Sequence, residues 1–224
     1  MEEWIPLVLR FLYEEASKGK SLFLVGDLFD FWFEWKHAIP ARSFKVLAAL
    51  HELTRSGIEI YYLGGNHDGH VWKHLENEVG VHVSRESVNV QIDDKTFHII
   101  HGDGVAQNDR GYRMLRSLVR WKPTEAIFRL IHPDFGIWLA GRVSKLSREH
   151  LSHDDKFGAE PYREYAKWRI DQGYNYVVMG HRHSSEWIPH TNGGYLAIGD
   201  WIGRSSYGLF SQNVLELKEF NSKA

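Results

Sequence analysis

The chain of 224 residues contains no cysteine. That absence excludes a disulfide framework, a thiolate nucleophile, CxxC redox chemistry and any cysteine-ligated zinc or iron–sulfur cluster. A metal ion here has only His, Asp, Glu or Asn to sit on. An excess of either charge is also missing: 27 Lys and Arg stand against 29 Asp and Glu, so no nucleic-acid or other polyanion partner is expected. No stretch approaches the ~18 uninterrupted apolar residues of a membrane span. The amino-terminal run is broken by Arg10, Glu14 and Glu15 and resembles neither a signal peptide nor an anchor, which gives the expectation of a cytoplasmic protein. Internal repeats, low-complexity tracts and linkers are absent, and 43% hydrophobic residues suffice for one well-filled domain over residues 1–224.

Histidine is what the chain has in plenty, at 14 residues. Apolar spacing predicts a helix over 5–18 (Ile5, Val8, Leu9, Leu12), stopped by Gly19, and another from Phe44 to Leu53, ended before Gly57. Short apolar runs predict strands at Leu22–Val25, Ile58–Leu63, Phe97–Ile100, Tyr176–Met179 and Tyr195–Ile198, with helical segments around 110–150 and 160–172. Such alternation means an α/β layer architecture. Residues 104–150 differ in character, with nine basic residues against four acidic ones and Trp121, Phe128, Phe135 and Trp138 interleaved. This pattern fits a helical cap insertion facing an anionic, partly apolar ligand; it fits equally a solvated helix pair whose aromatics pack on the core.

Four apolar runs end in glycine or in metal-ligating residue types. Gly26-Asp27 follows the first, Gly64-Gly65-Asn66-His67-Asp68 the second, His101-Gly102-Asp103 the third and Gly180-His181-Arg182-His183 the fourth. In α/β sheets, ligands bind beyond the carboxyl ends of the strands, and glycine lets the backbone turn and approach a ligand closely. One Gly-Asp pair is a common turn. Two histidines flanking a single residue after Gly180, together with His101, Asn66 and Asp27, point to a metal centre. Imidazole nitrogens with carboxylate and amide oxygens suit Mn²⁺, Fe²⁺, Zn²⁺ or similar ions.

The order GD, GNHD, H, GHxH resembles the calcineurin-like metallophosphoesterases over nearly the whole chain. The resemblance implies a sandwich of two mixed β-sheets flanked by helices, and two divalent ions, Mn²⁺ first among them. It implies that Asp27 bridges both ions, that Asn66, His101 and His181 bind one and that His183 binds the other. It further implies that His67 contacts the phosphoryl group, oriented by Asp68. Residues 26–40 and 101–116, with the basic insertion and residues 144–149, are similar to the UDP-2,3-diacylglucosamine diphosphatases. That likeness implies metal-dependent hydrolysis of UDP-2,3-diacylglucosamine, an amphiphilic nucleotide sugar, to UMP and 2,3-diacylglucosamine 1-phosphate. Asp109, Tyr112, Arg116 and Arg148 then contact the substrate, and the cap touches the cytoplasmic side of the inner membrane peripherally. The alternatives are another phosphomonoesterase or phosphodiesterase on the same site, and a non-catalytic lipid-nucleotide binder.

Two departures from the family pattern shape the expectations. Its opening DxH motif has no counterpart, since residues 1–26 contain neither Asp nor His. The expectation is a sequence whose first strand is missing, with one well-ligated ion and one weak or empty site. In addition, His67 stands where the best-known diphosphatases commonly carry Arg. Nothing in the sequence speaks to oligomeric state.

Overall fold

The structure, a computed structural model, describes residues 4–68, 73–105, 121–150, 158–201 and 203–220. The chain forms two units, one comprising residues 1–84 and 108–152, the other residues 85–107 and 153–224.

The first unit opens with α1 (Trp4–Glu14), whose Val8, Phe11 and Leu12 are buried, a helical spacing that lays one stripe against the core. Strand β1 (Ser21–Leu24) pairs in parallel with β2 (Glu59–Leu63), and β2 in parallel with β3 (His82–Ser84). Between β1 and β2 lies α2 (Phe44–Arg55), which buries Val46, Leu47, Ala49, Leu50 and Leu53. Parallel pairing requires such a crossover. Phe23 stacks on Tyr61 and Tyr61 on His82, at 4.9 and 5.0 Å between ring centroids. These three occupy one face of the sheet in register, while Ile60 and Tyr62 on the opposite face are fully buried. A π-helical turn, Leu75–Val79, leads into β3.

The basic segment contributes α3 (Lys122–Leu130) and α4 (Pro133–His150) to this unit. Phe128 anchors α3 by packing edge-on against Phe33 at 4.7 Å and Phe31 at 6.0 Å. The Trp35 indole donates to the carbonyl of Ile131 at 3.0 Å. Of the aromatics read as core or cap, Phe128 alone takes an anchoring role of this kind. Trp121 and Trp138 remain 59% and 52% exposed, and Ile127 and Leu130 64% and 88%, which overturns a core role for the two tryptophans. No helix among the described residues is long and apolar enough to cross a membrane.

The second unit is a five-stranded mixed sheet in the order β4-β5-β6-β8-β7, formed by β4 (Ser87–Ile92), β5 (Lys95–Ile100), β6 (Tyr176–Met179), β7 (Ser185–His190) and β8 (Gly193–Ile198). Helix α5 (Glu160–Asp171) covers one face, where Tyr162 and Ala166 pack with Val177, Met179, Tyr195 and Ala197. The alternate residues of β6 and β8 point the other way. There the hairpin β9 (Ser206–Ser211) and β10 (Val214–Glu219) lies, with Phe210 edge-on to Phe97 and Tyr176 and Gly208 close to Leu196.

Strands β3, β4, β7, β9 and β10 and the Leu75–Val79 turn were not predicted. They are short or polar on one side and lack the apolar runs that mark the buried parallel strands. The β9–β10 turn places Gln212 and Asn213 at φ 52° and 64°, the left-handed pair that a tight hairpin needs.

Candidate functional site

In the first unit β1 runs straight into Gly26 and Asp27, at φ 84° and 53°. Positive φ is unusual for a residue with a side chain, though Asp tolerates it better than most. It turns the Asp27 carboxylate back to the segment after β2, where Oδ1 accepts the backbone N–H of His67 at 2.8 Å. In return, the backbone N–H of Asp27 donates to Asp68 Oδ2 at 3.0 Å. The same oxygen accepts from the Gly65 N–H at 2.9 Å, and Oδ1 of Asp68 accepts from the Tyr62 hydroxyl at 2.8 Å. Each loop thus supplies a carboxylate to the other's backbone. The approach requires Gly65, because a β-carbon there would fall 2.6 Å from the Asp27 nitrogen.

Burial, followed by the nearby Asp27 charge, pushes the Asp68 carboxyl up to about 6. Burial and then the Asp68 charge hold the Tyr62 phenol well above its usual range. A carboxylate so placed braces the loop. Its two oxygens accept from Tyr62, Gly65 and Asp27. His67 is half-buried and Asn66 exposed. The Trp32 N–H donates to the carbonyl of His67 at 3.1 Å, so the aromatic segment 29–35 pairs with the same loop. Within it Glu34, 4% exposed, accepts the N–H groups of His74 at 3.0 Å and Leu75 at 3.4 Å. Burial raises the Glu34 pKa, opposed by these backbone donors.

In the second unit, β5 and β6 are parallel neighbours with Ile100 opposite Met179, so His101 and Gly180–His183 leave the same sheet edge. His101 is 2% exposed, and its ring meets that of His181 edge-on at 5.2 Å, a separation that allows two imidazoles to reach one ion. His181 is left-handed, at φ 63°. Gly102, at φ 107°, passes beside it, where a β-carbon would touch the His181 side chain at 3.5 Å. Arg182 is buried over the Tyr162 ring at 5.6 Å and lies 3.7 Å from Glu186. His183 pairs through Nδ1 with Asp200 Oδ2 at 3.1 Å.

The structure therefore brings Asp27, His67 and Asp68 together in one unit and His101 with His181 in the other. Their imidazole and carboxylate donors, without thiolate, match the chemistry of first-row divalent ions, and the adjacent rings of His101 and His181 fit such a group. Asp109, Tyr112 and Arg116 lie outside the described residues, and Arg148 lies on α4 with its side chain outside the description. Tyr62, Glu34 and Asp200 were not singled out from the sequence. A signal existed for Asp200: β8 ends in Gly199-Asp200, as β1 ends in Gly26-Asp27.

Residues 5–185 match the family model described as calcineurin-like phosphoesterase. The UDP-2,3-diacylglucosamine hydrolase of Porphyromonas gingivalis is 27% identical over 219 residues, covering 90% of this chain and 84% of that protein. The protein of the same name from Proteus mirabilis is 23% identical over 224 residues, covering 95% and 90%. That from Neisseria meningitidis serogroup A is 26% identical over 206 residues, covering 89% and 83%.

Proposed function

The chain belongs to the calcineurin-like phosphoesterase family, whose members work with divalent metals, and from that premise we propose that it hydrolyses the diphosphate bond of UDP-2,3-diacylglucosamine. The products are UMP and 2,3-diacylglucosamine 1-phosphate. The observation that carries this reading is the shared name of relatives that align with nearly the whole chain.

Asp27, Asn66, His101, His181 and His183 are the metal-binding residues, and Mn²⁺ is the preferred ion. Asp27 would contribute to both ions of such a centre, with Asn66, His101 and His181 holding one and His183 the other, so the first would be held the more tightly. Divalent ions in such a centre lower the pKa of bound water and neutralise charge on the phosphoryl oxygens. His67 donates from its ring to an oxygen on which charge grows, while its backbone N–H holds the Asp27 carboxylate. Asp68 orients His67, and its bonds to Gly65 and the Asp27 backbone brace the loop that carries both. Asp109, Tyr112, Arg116 and Arg148 bind the diphosphate and sugar.

The exposed apolar residues of α3 and α4 support contact with the acyl chains or with the membrane surface that holds them. The reaction accordingly takes place at the cytoplasmic face of that membrane. The test is UMP release from the acylated nucleotide sugar with Mn²⁺, before and after chelation, beside a small chromogenic phosphodiester. Mn²⁺-dependent release of UMP, with the small diester a poor substrate, is expected. Efficient cleavage of the small diester alone would point to a different phosphoesterase, and binding without UMP release to a non-catalytic binder.

A further inference from the structure

His183 is the most open of the histidines at the sheet edge, its side chain 67% exposed. An imidazole in that setting has several rotamers and two neutral tautomers to choose between. Asp200 removes the choice. Its Oδ2 lies 3.1 Å from Nδ1 of His183, and a carboxylate only accepts, so Nδ1 carries the proton. The carboxylate is itself held, because the Gly203 N–H donates to Oδ1 at 2.8 Å. Gly199, at φ 73°, brings the chain round after β8 in a space where a β-carbon would lie 2.7 Å from the Ser206 hydroxyl and 2.9 Å from the Ser185 side chain. The Ser206 hydroxyl in turn donates to the carbonyl of Ile198. The end of β8 is thereby fixed against β9, and Asp200 projects from a rigid base.

We propose that Asp200 is a positioning residue for His183, fixing the Nδ1–H tautomer and ring orientation so that Nε2 is the atom offered to a metal ion. Carboxylates and carbonyls commonly perform this office for ligating histidines. The inference rests on the metallophosphoesterase reading and deepens it. Of the histidines at this edge, His183 belongs to the less well-ligated ion, so Asp200 governs how well that second ion is held.

The experiment has two readouts. In metal-free, ¹⁵N-labelled protein, long-range ¹H–¹⁵N correlation spectra report the tautomer of His183. The wild type should be Nδ1–H, and Asp200→Ala should revert to Nε2–H, the form free imidazoles prefer. Calorimetric titration with Mn²⁺ should show Asp200→Ala and Asp200→Asn weakening the weaker binding step about 10- to 100-fold. His183→Ala combined with Asp200→Ala should weaken it no further than His183→Ala alone. An Nε2–H tautomer in the wild type overturns the proposal, whatever the variants do. Wild-type Mn²⁺ binding that falls in His183→Ala but not in either Asp200 variant overturns it too, leaving the proposed function intact. A wild type that binds no Mn²⁺ overturns the metal reading, and this assignment with it. Asp200→Asn keeps an acceptor for the Gly203 N–H, so where the alanine variant fails to fold, Mn²⁺ binding by Asp200→Asn decides.

Discussion

A β-carbon added to Gly65 would stand 2.1 Å from Oδ1 of Asp27, the same oxygen that receives the N–H of His67. The turn after β2 and the carboxylate after β1 fit only because residue 65 has no side chain. Gly65→Ala should therefore displace Asp27 or its loop, lowering stability by about 2–4 kcal/mol and kcat/KM by roughly 100-fold or more. Urea denaturation beside UMP release measures both. A variant with normal stability and normal turnover would contradict this account of the loop.

The Tyr62 hydroxyl donates to Asp68 in a fully buried site. Tyr62→Phe leaves an oxygen of that carboxylate without its donor, at a cost of about 1–3 kcal/mol. The Asp68 pKa should rise beyond about 6, because a hydrogen bond that favoured the ionised form is gone. Carboxyl carbon chemical shifts followed against pH check the direction.

His98 is fully buried between Asn89, at 2.6 Å, and the Tyr165 hydroxyl, at 3.0 Å. Burial, aided by the Arg169 charge, lowers its pKa to about 4. Between pH 6.5 and about 4 the unfolded chain binds a proton at this position that the folded chain refuses. Stability is full above the upper limit and falls as the pH drops through this window, by about 3 kcal/mol in all. Denaturant midpoints at a series of pH values should show the loss, and His98→Gln should flatten it.

Ile127 and Leu130 lie three residues apart on α3, both largely exposed. If this face meets a lipid surface, Ile127→Glu with Leu130→Glu should weaken partitioning onto anionic vesicles at least ~10-fold. Their exposure means that the folded state should barely notice, with a stability change within about 0.5 kcal/mol. Equal partitioning by the variant and the wild type in vesicle flotation would rule out this face as the contact.

The parallel strands other than the three-residue β3, and their endings, were legible because both signals are local. Tyr176–Met179 is a run of buried apolar residues, and the next residues are Gly180 and two histidines. Gly26-Asp27 and the Gly64–Asp68 segment obey the same grammar. Asp200 obeys it as well, yet Gly199-Asp200 lies outside the order GD, GNHD, H, GHxH that singles out Gly26-Asp27, and a lone Gly-Asp pair looks like any turn. Glu34 sits among Phe33 and Trp35, and its partners are backbone groups 40 and 41 residues away, a separation that no local pattern encodes. The hydrogen bonds of Asp68 are hidden for a related reason: they run to Tyr62 and to Asp27, the latter 41 residues away.

Asp27 follows β1 and His181 follows β6, each in the left-handed region, at φ 53° and 63°. Only glycine adopts that conformation freely; Asp, Asn and His are the side-chain-bearing residues most tolerant of it. Backbone geometry thus narrows the alphabet at these two places before chemistry acts. Glutamate offers the same carboxylate as aspartate, but the turn admits it poorly. In descent from a common ancestor, such positions have few neighbours to drift to: Asn at 27 would keep the backbone and surrender the charge, and Gly at either would keep the turn and surrender the donor.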